Sequence, residues 1–161
     1  MTPRPTARID GNDLVLTRRF RAPIEDVWTS VTDPAHTARW FGPWEGEPGQ
    51  GKTIRVQMLF EEGKPWSSAR IERCDAPRHL ALTTQDDHGA WSLELTLVQQ
   101  GDTTEMTFVQ HLSDRKLAEH AGPGWEYYLD NLVAARAGEP LPSFSEYYPS
   151  QRAHFVGLLG P

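Results

Sequence analysis

The stretch from Gly124 to Gly138 constrains this chain more than any other. Trp125, Tyr128, Leu129, Leu132, Val133 and Arg136 recur there at helical spacing, so large apolar and aromatic groups share one stripe. Gly122-Pro123 ahead of it and Gly138 behind it are start and stop signals for a helix. Upstream, from Thr53 to Leu112, the chain reads almost entirely as strand. One amphipathic helix that follows a sheet needs that sheet to bury its stripe. The pattern predicts an α+β domain in which a curved antiparallel sheet of about six strands wraps one long C-terminal helix. A sheet closed in this way over a single helix can enclose a pocket.

The remaining segments fit the same plan. Residues 1–6 read as a disordered tail, and Asp10-Gly11-Asn12-Asp13 as a turn ahead of the β-rich run Leu14–Phe20. Ala22-Pro23 ends that strand and opens a helix whose apolar face is Ile24, Val27, Trp28 and Val31, with Glu25 and Asp26 in its first turn. Asp33 as N-cap and Pro34 at N1 open a second short helix to about Arg39. Alternation then marks Thr53–Phe60 as a half-buried strand, with Ile54, Val56, Met58 and Phe60 on one face. Glu62-Gly63-Lys64 turns into Trp66–Cys74, Asp75-Ala76-Pro77 into His79–Thr84, and Asp87-His88-Gly89 into the alternating run Trp91–Leu97. Gln100-Gly101-Asp102 makes the last hairpin, after which Met106, Phe108 and Gln110 share the inner phase. Past Gly138 the chain carries Phe144, Tyr147 and Tyr148, so residues 140–161 form an aromatic extension beyond a domain of residues 7–139.

Composition removes several classes of function. A net charge of −6 without a basic run argues against a phosphate-tracking surface, so no nucleic-acid partner is expected. Cys74 is the only cysteine, which excludes an internal disulfide and thiolate zinc clusters. The histidines at 36, 79, 88, 111, 120 and 154 show no metal-ligand spacing, and no metal or other cofactor is expected. No run approaches a membrane span and residues 1–8 lack the apolar core of a signal peptide, so the expected setting is cytoplasmic with no membrane partner. Six Trp in one small domain leave room for an aromatic-lined cavity.

Local patterns then converge on a known family. Phe20–Trp28 followed by Thr32-Asp33-Pro34 and Arg39-Trp40-Phe41-Gly42-Pro43 resembles the opening of the activator of Hsp90 ATPase homologue family, within the START-like (SRPBCC) superfamily. Ile71 through Leu80 is similar to its strand–turn–strand, and Gly124-Trp125 with Leu129-Asp130-Asn131-Leu132 to its C-terminal helix. The resemblance, over about residues 10 to 139, implies a helix-grip fold with two short helices after the first strand and a cavity between sheet and helix.

On this reading the ligand-binding candidates are Trp40, Phe41, Met58, Trp91, Phe108, Gln110, Trp125, Tyr128 and Leu132. Core filling and cavity lining both suit the large apolar members of this set. Gln110 is the polar candidate, since an uncharged amide on the inner face can orient a ligand, whereas a one-residue slip would place His111 there. Arg70, Arg73, Glu94 and Glu105 read as solvent-facing, and no catalytic residue is assigned. The expected function is non-enzymatic binding of a small hydrophobic or aromatic molecule. The alternatives are a cyclase- or hydrolase-like enzyme using the same cavity, or a co-chaperone-like interaction module presenting Phe144, Tyr147 and Tyr148. A homodimer is expected from that aromatic extension and by analogy with relatives.

Overall fold

A computed structural model describes residues 3–86 and 89–159. The strands are β1 (Arg8–Asp10), β2 (Asp13–Phe20), β3 (Trp44–Glu45), β4 (Thr53–Gln57), β5 (Trp66–Asp75), β6 (His79–Asp86), β7 (Gly89–Gln100) and β8 (Thr103–His111). They form one antiparallel sheet in the order β1-β2-β8-β7-β6-β5-β4-β3. Two helices, α1 (Ile24–Thr32) and α2 (Pro34–Thr37), follow β2, and α3 (Ala118–Ala137) and α4 (Arg152–Leu159) follow the sheet. This is the helix-grip fold.

The eight strands exceed the expected six or so because both edge strands are very short. β3 is two residues paired to Val56 and Arg55, too few to leave a period in the sequence. β4 also ends at Gln57 rather than Phe60. Beyond it the Met58 amide donates to Pro65 and the Leu59 amide to Phe41, so Met58 and Phe60 belong to a turn that bends toward the helix. Asp33 caps α2 as expected, whereas Pro23 stands at the N-cap of α1 and not inside it. The turn expected at Asp87-His88-Gly89 lies, for its first two residues, outside the described residues.

The larger correction concerns Gly122-Pro123. These residues do not precede the long helix; α3 begins at Ala118 and runs through Pro123 to Ala137. An interior proline removes one helical hydrogen bond and normally breaks the helix. Here the first turn is held from outside. Gly122 is buried against Phe155 of α4, and a Cβ at position 122 would lie 2.3 Å from the Phe155 ring. Arg152 also pairs with Glu119. Packing by α4 therefore compensates for what the proline removes.

The extension accordingly folds back on its own domain. Tyr147 and Phe155 are fully buried members of the main core, so the expected exposed patch of Phe144, Tyr147 and Tyr148 reduces to Phe144, which is 45% exposed. Residues at the start of the chain are likewise tied down: Thr6 and Ala7 donate to Glu126, and the Gln151 side chain donates to the Pro3 carbonyl. The only part of the expected loose tail outside the described residues is 1–2.

A buried ionic cluster fastens these ends to α3. Arg18 lies in phase with Leu14, Leu16 and Phe20 on the inner face of β2, and its guanidinium reaches Glu126 and Asp130, each at 3.0 Å. Asp130 also accepts from the Tyr147 hydroxyl at 2.7 Å. Burial, with this hydrogen bond to Asp130, holds that phenol protonated, far above its ordinary pKa. Val133, assigned to the apolar stripe by spacing, is instead 40% exposed, because Glu126 and Asn131 share the buried circumference of the helix.

Candidate functional site

The apolar interior comes in two pieces. The main cluster joins β2, β7, β8 and the helices, and includes Leu95, Leu97, Met106, Phe108, Leu129 and Leu132. A second cluster of Ile54, Ala69 and Ile71, with Trp44, Val56, Leu80 and Leu82 against it, sits on β4–β6. Continuous burial is the normal outcome for one domain. Between these two clusters lies a cavity of about 510 Å3 whose wall draws on both: Ile54, Val56, Ile71, Leu80 and Leu82 from one side, Phe108, Tyr128 and Leu129 from the other.

Trp40, Phe41, Met58, Trp91, Phe108, Trp125 and Tyr128 all contribute to that wall. The rings of Trp40, Phe41, Phe108, Trp125 and Tyr128 are packed in series. Phe41 stacks on Trp125 with an interplanar angle of 5° at 6.0 Å, and touches Tyr128 at 4.6 Å between centroids. Phe108 also packs on Trp125, tilted by 41° with centroids 4.2 Å apart. Trp40 is 8% exposed and its indole N–H donates to the Ser30 carbonyl, while that of Trp44 donates to Thr32. Phe41 and Met58 reach the cavity because the backbone after α2 crosses the end of β4 at Gly42. A Cβ there would overlap the Gln57 carbonyl oxygen at 1.5 Å.

Two of the expected ligand-binding residues stand elsewhere. Leu132 is fully buried in the main cluster, away from the cavity wall, because α3 turns it toward the sheet centre and not toward the gap. Gln110 is on the inner face as the register requires, paired with Leu14 and Leu93. It is not on the wall either: its Oε1 accepts the Trp125 indole N–H at 2.8 Å. Its part is to orient a wall residue, since a buried indole N–H needs a partner. No phase slip occurs, and His111 faces outward.

Most wall residues lie outside the expected set, and several of them are placed by turns or loops. Glu61 and Phe60 come from the turn beyond β4, and Phe144 from the extension. Periodicity carries no signal for side chains placed by turns. Tyr128 has the most telling environment. It is 6% exposed, and its hydroxyl has no hydrogen-bond partner. Burial and the nearby Glu61 carboxylate push the phenol far above its usual pKa, so it remains a neutral hydroxyl able to donate or accept.

On the outer face, the sheet assembles a histidine–carboxylate network that sequence spacing did not show. His111 places Nδ1 2.7 Å from Asp13 and Nε2 against Glu94, and His79 Nε2 lies 2.8 Å from the other Glu94 oxygen. Glu94 is therefore half-buried and engaged, not simply solvated. With carboxylates at both ring nitrogens, His111 is stabilised as the imidazolium, its pKa raised chiefly by the Glu94 hydrogen bond. Glu94 is shifted down, chiefly by the hydrogen bond to His111. No group of three such residues suited to a metal ion occurs among the described residues.

The sign of the resulting pH effect follows from the two directions. The raised His111 contributes stability below its unfolded pKa of about 6.5, and this is lost as pH rises through its folded value. The lowered Glu94 contributes above its unfolded value and is lost as pH falls through its folded one. Urea midpoints are expected to fall from pH 6 to pH 9 more in the wild type than in His111→Gln. The difference should stay within about 1 kcal/mol for groups this exposed. Parallel curves for the two proteins would remove the network from the pH response.

With this geometry in place, the chain matches the family described as activator of Hsp90 ATPase homolog 1-like protein over residues 21–137. It belongs to that family. The matched span ends at the last helical residue of α3, so α4 and Phe144 lie beyond it. The structure is similar to that of CalU16 from Micromonospora echinospora, at 24% identity and a TM-score of 0.78, covering 97% of this chain and 96% of that one. A protein encoded by a Bordetella parapertussis gene is similar at 24% identity and a TM-score of 0.78, with 96% and 91% covered. DynU16, from the dynemicin biosynthetic locus, is similar at 20% identity and a TM-score of 0.72, with 84% of this chain and 51% of that one covered. At these identities the likeness shows the fold. No curated protein matches the chain. Among the described residues, no helix of this family member is long and apolar enough to cross a membrane.

Proposed function

We propose that this protein binds a small hydrophobic or aromatic molecule in the cavity between the sheet and α3. The observation that carries this reading is the divided core: two apolar clusters face each other across about 510 Å3 that their own side chains leave open. Such a volume is within the range of small-molecule sites, which are mostly apolar with few polar groups. Transfer of an apolar ligand there gains roughly 25 cal/mol per Å2 buried. Phe41, Trp125 and Phe108 would supply flat contact area, with Trp125 oriented by Gln110.

Native mass spectrometry of protein purified without added ligand, followed by organic extraction, tests the proposal. A retained small molecule supports it, and the same spectrum reports whether the chain is a homodimer. A blocking variant makes the result specific to the cavity. Gly124 is on the wall of α3, and a Cβ there meets nothing within 4 Å. Gly124→Leu is expected to fold, to gain up to about 1 kcal/mol from replacing a helical glycine, and to lose the bound molecule. Retention of the molecule at full occupancy in a folded Gly124→Leu protein would put the binding site elsewhere.

A further inference from the structure

The cavity wall is uneven in charge. Among its described residues there is no Lys or Arg, and the acids are Glu61 and Glu94. Glu94 borders the cavity, but its carboxylate turns to the outer face of the sheet, where His79 and His111 hold both oxygens. Glu61 is thus the carboxylate left to face an occupant, and it sits beside a group of aromatic rings. Phe60, its neighbour in the chain, lies edge-on to Tyr127 and Tyr128, with centroids 6.4 Å from each. Tyr127 and Tyr128 are 5.3 Å apart, and Phe144 from the extension meets Tyr127 at 5.4 Å.

Clustered aromatic rings next to a carboxylate favour cations, because each π face is electron-rich and the acid supplies full charge. We infer that the molecule bound in this cavity is a cationic amphiphile: an apolar, ring-bearing body with a protonated amine at the end that meets Glu61 and Tyr128. The inference rests on the cavity reading above and adds the chemistry of one end of the ligand. The unpartnered Tyr128 hydroxyl fits the same end, since it can accept from an ammonium N–H while donating to Glu61. A carboxylated ligand would meet Glu61 with no Lys or Arg on the described wall to offset it; the basic side chain there is His120. A neutral ligand would leave the charge of Glu61 unused.

Three anthracene probes of matched shape test this: 9-(aminomethyl)anthracene, 9-anthracenemethanol and 9-anthracenecarboxylate, followed at pH 7 by quenching of tryptophan emission. The amine is expected to bind about tenfold more tightly than the alcohol, the usual scale for one charge-assisted hydrogen bond in a partly dry site. The carboxylate should bind most weakly. Glu61→Gln should abolish the advantage of the amine and leave the alcohol unchanged; Glu61 is exposed, so the variant should fold. Raising the salt concentration should narrow the gap between amine and alcohol. Equal binding of amine and alcohol, tightest binding of the carboxylate, or an equal loss for all three probes in Glu61→Gln would overturn the charged-end inference while the cavity reading stands. Binding of none of the three would overturn the cavity reading, and this inference with it.

Discussion

Replacing Gly42 with alanine is expected to cost about 3 kcal/mol or more and to lower the melting temperature by roughly 10 °C. The added Cβ would lie 1.5 Å from the Gln57 oxygen and 2.7 Å from its carbonyl carbon. Both are backbone atoms, so no rotamer change relieves the overlap. The chain must separate either from β4 or from the α2 side, and the Leu59 amide bond to the Phe41 carbonyl would be lost with it. Phe41 is the ring that stacks on Trp125, so ligand retention should fall together with stability. Thermal unfolding and native mass spectrometry of the same sample check both effects. A Gly42→Ala protein with wild-type melting would mean that the crossing at Gln57 is wider than described.

Glu126→Ala is expected to destabilise by about 3–5 kcal/mol, the range for removing one member of a buried ion pair. Glu126 is 1% exposed. Its carboxylate accepts from the Thr6 hydroxyl at 2.7 Å, the Ala7 amide at 2.9 Å and the Arg18 guanidinium at 3.0 Å. Truncation strands all of these donors, although Arg18 keeps Asp130 and the loss should fall toward the lower end of the range. Urea unfolding measures it. Hydrogen exchange locates it, because the Thr6 and Ala7 amides, just ahead of β1, should lose protection before β1 and β2 do. Arg18→Met combined with Glu126→Leu should recover much of the stability but not the protection at Ala7, since the backbone donors would still lack an acceptor. Full protection at Ala7 in Glu126→Ala would show that the amino-terminal segment is anchored by other contacts.

The two predictions fall on opposite sides of what can be read from residues alone. The Glu126 cluster had a signal in the sequence. Arg18 is in register with Leu14, Leu16 and Phe20 on a strand, and Glu126 and Asp130 are four apart on a helix. A charged residue at an inward phase demands a partner, and the helix offers a pair of acids one turn apart. The clash at Gly42 had none, because it depends on a backbone carbonyl brought in from β4.

What the sequence determined by itself was the order of elements, the phase of the long strands and the aromatic character of α3. Those properties follow from local periodicity: Met106, Phe108 and Gln110 turn inward together because side chains alternate along a strand, whatever the strand packs against. Only the tertiary structure decided how α3 begins, where the cavity lies and which polar groups face it. Pro123 sits inside a helix because Phe155, far along the chain, packs on Gly122. Gln110 turned from a candidate ligand contact into a support for Trp125 because the indole N–H arrived first. Glu61 and Phe144 reach the cavity through a turn and an extension, where no period links position to direction. Void space is likewise a property of how two faces meet. Composition can supply enough apolar groups to fill a core, but whether they close on one another or stand apart is settled by curvature and by the length of the connections between them.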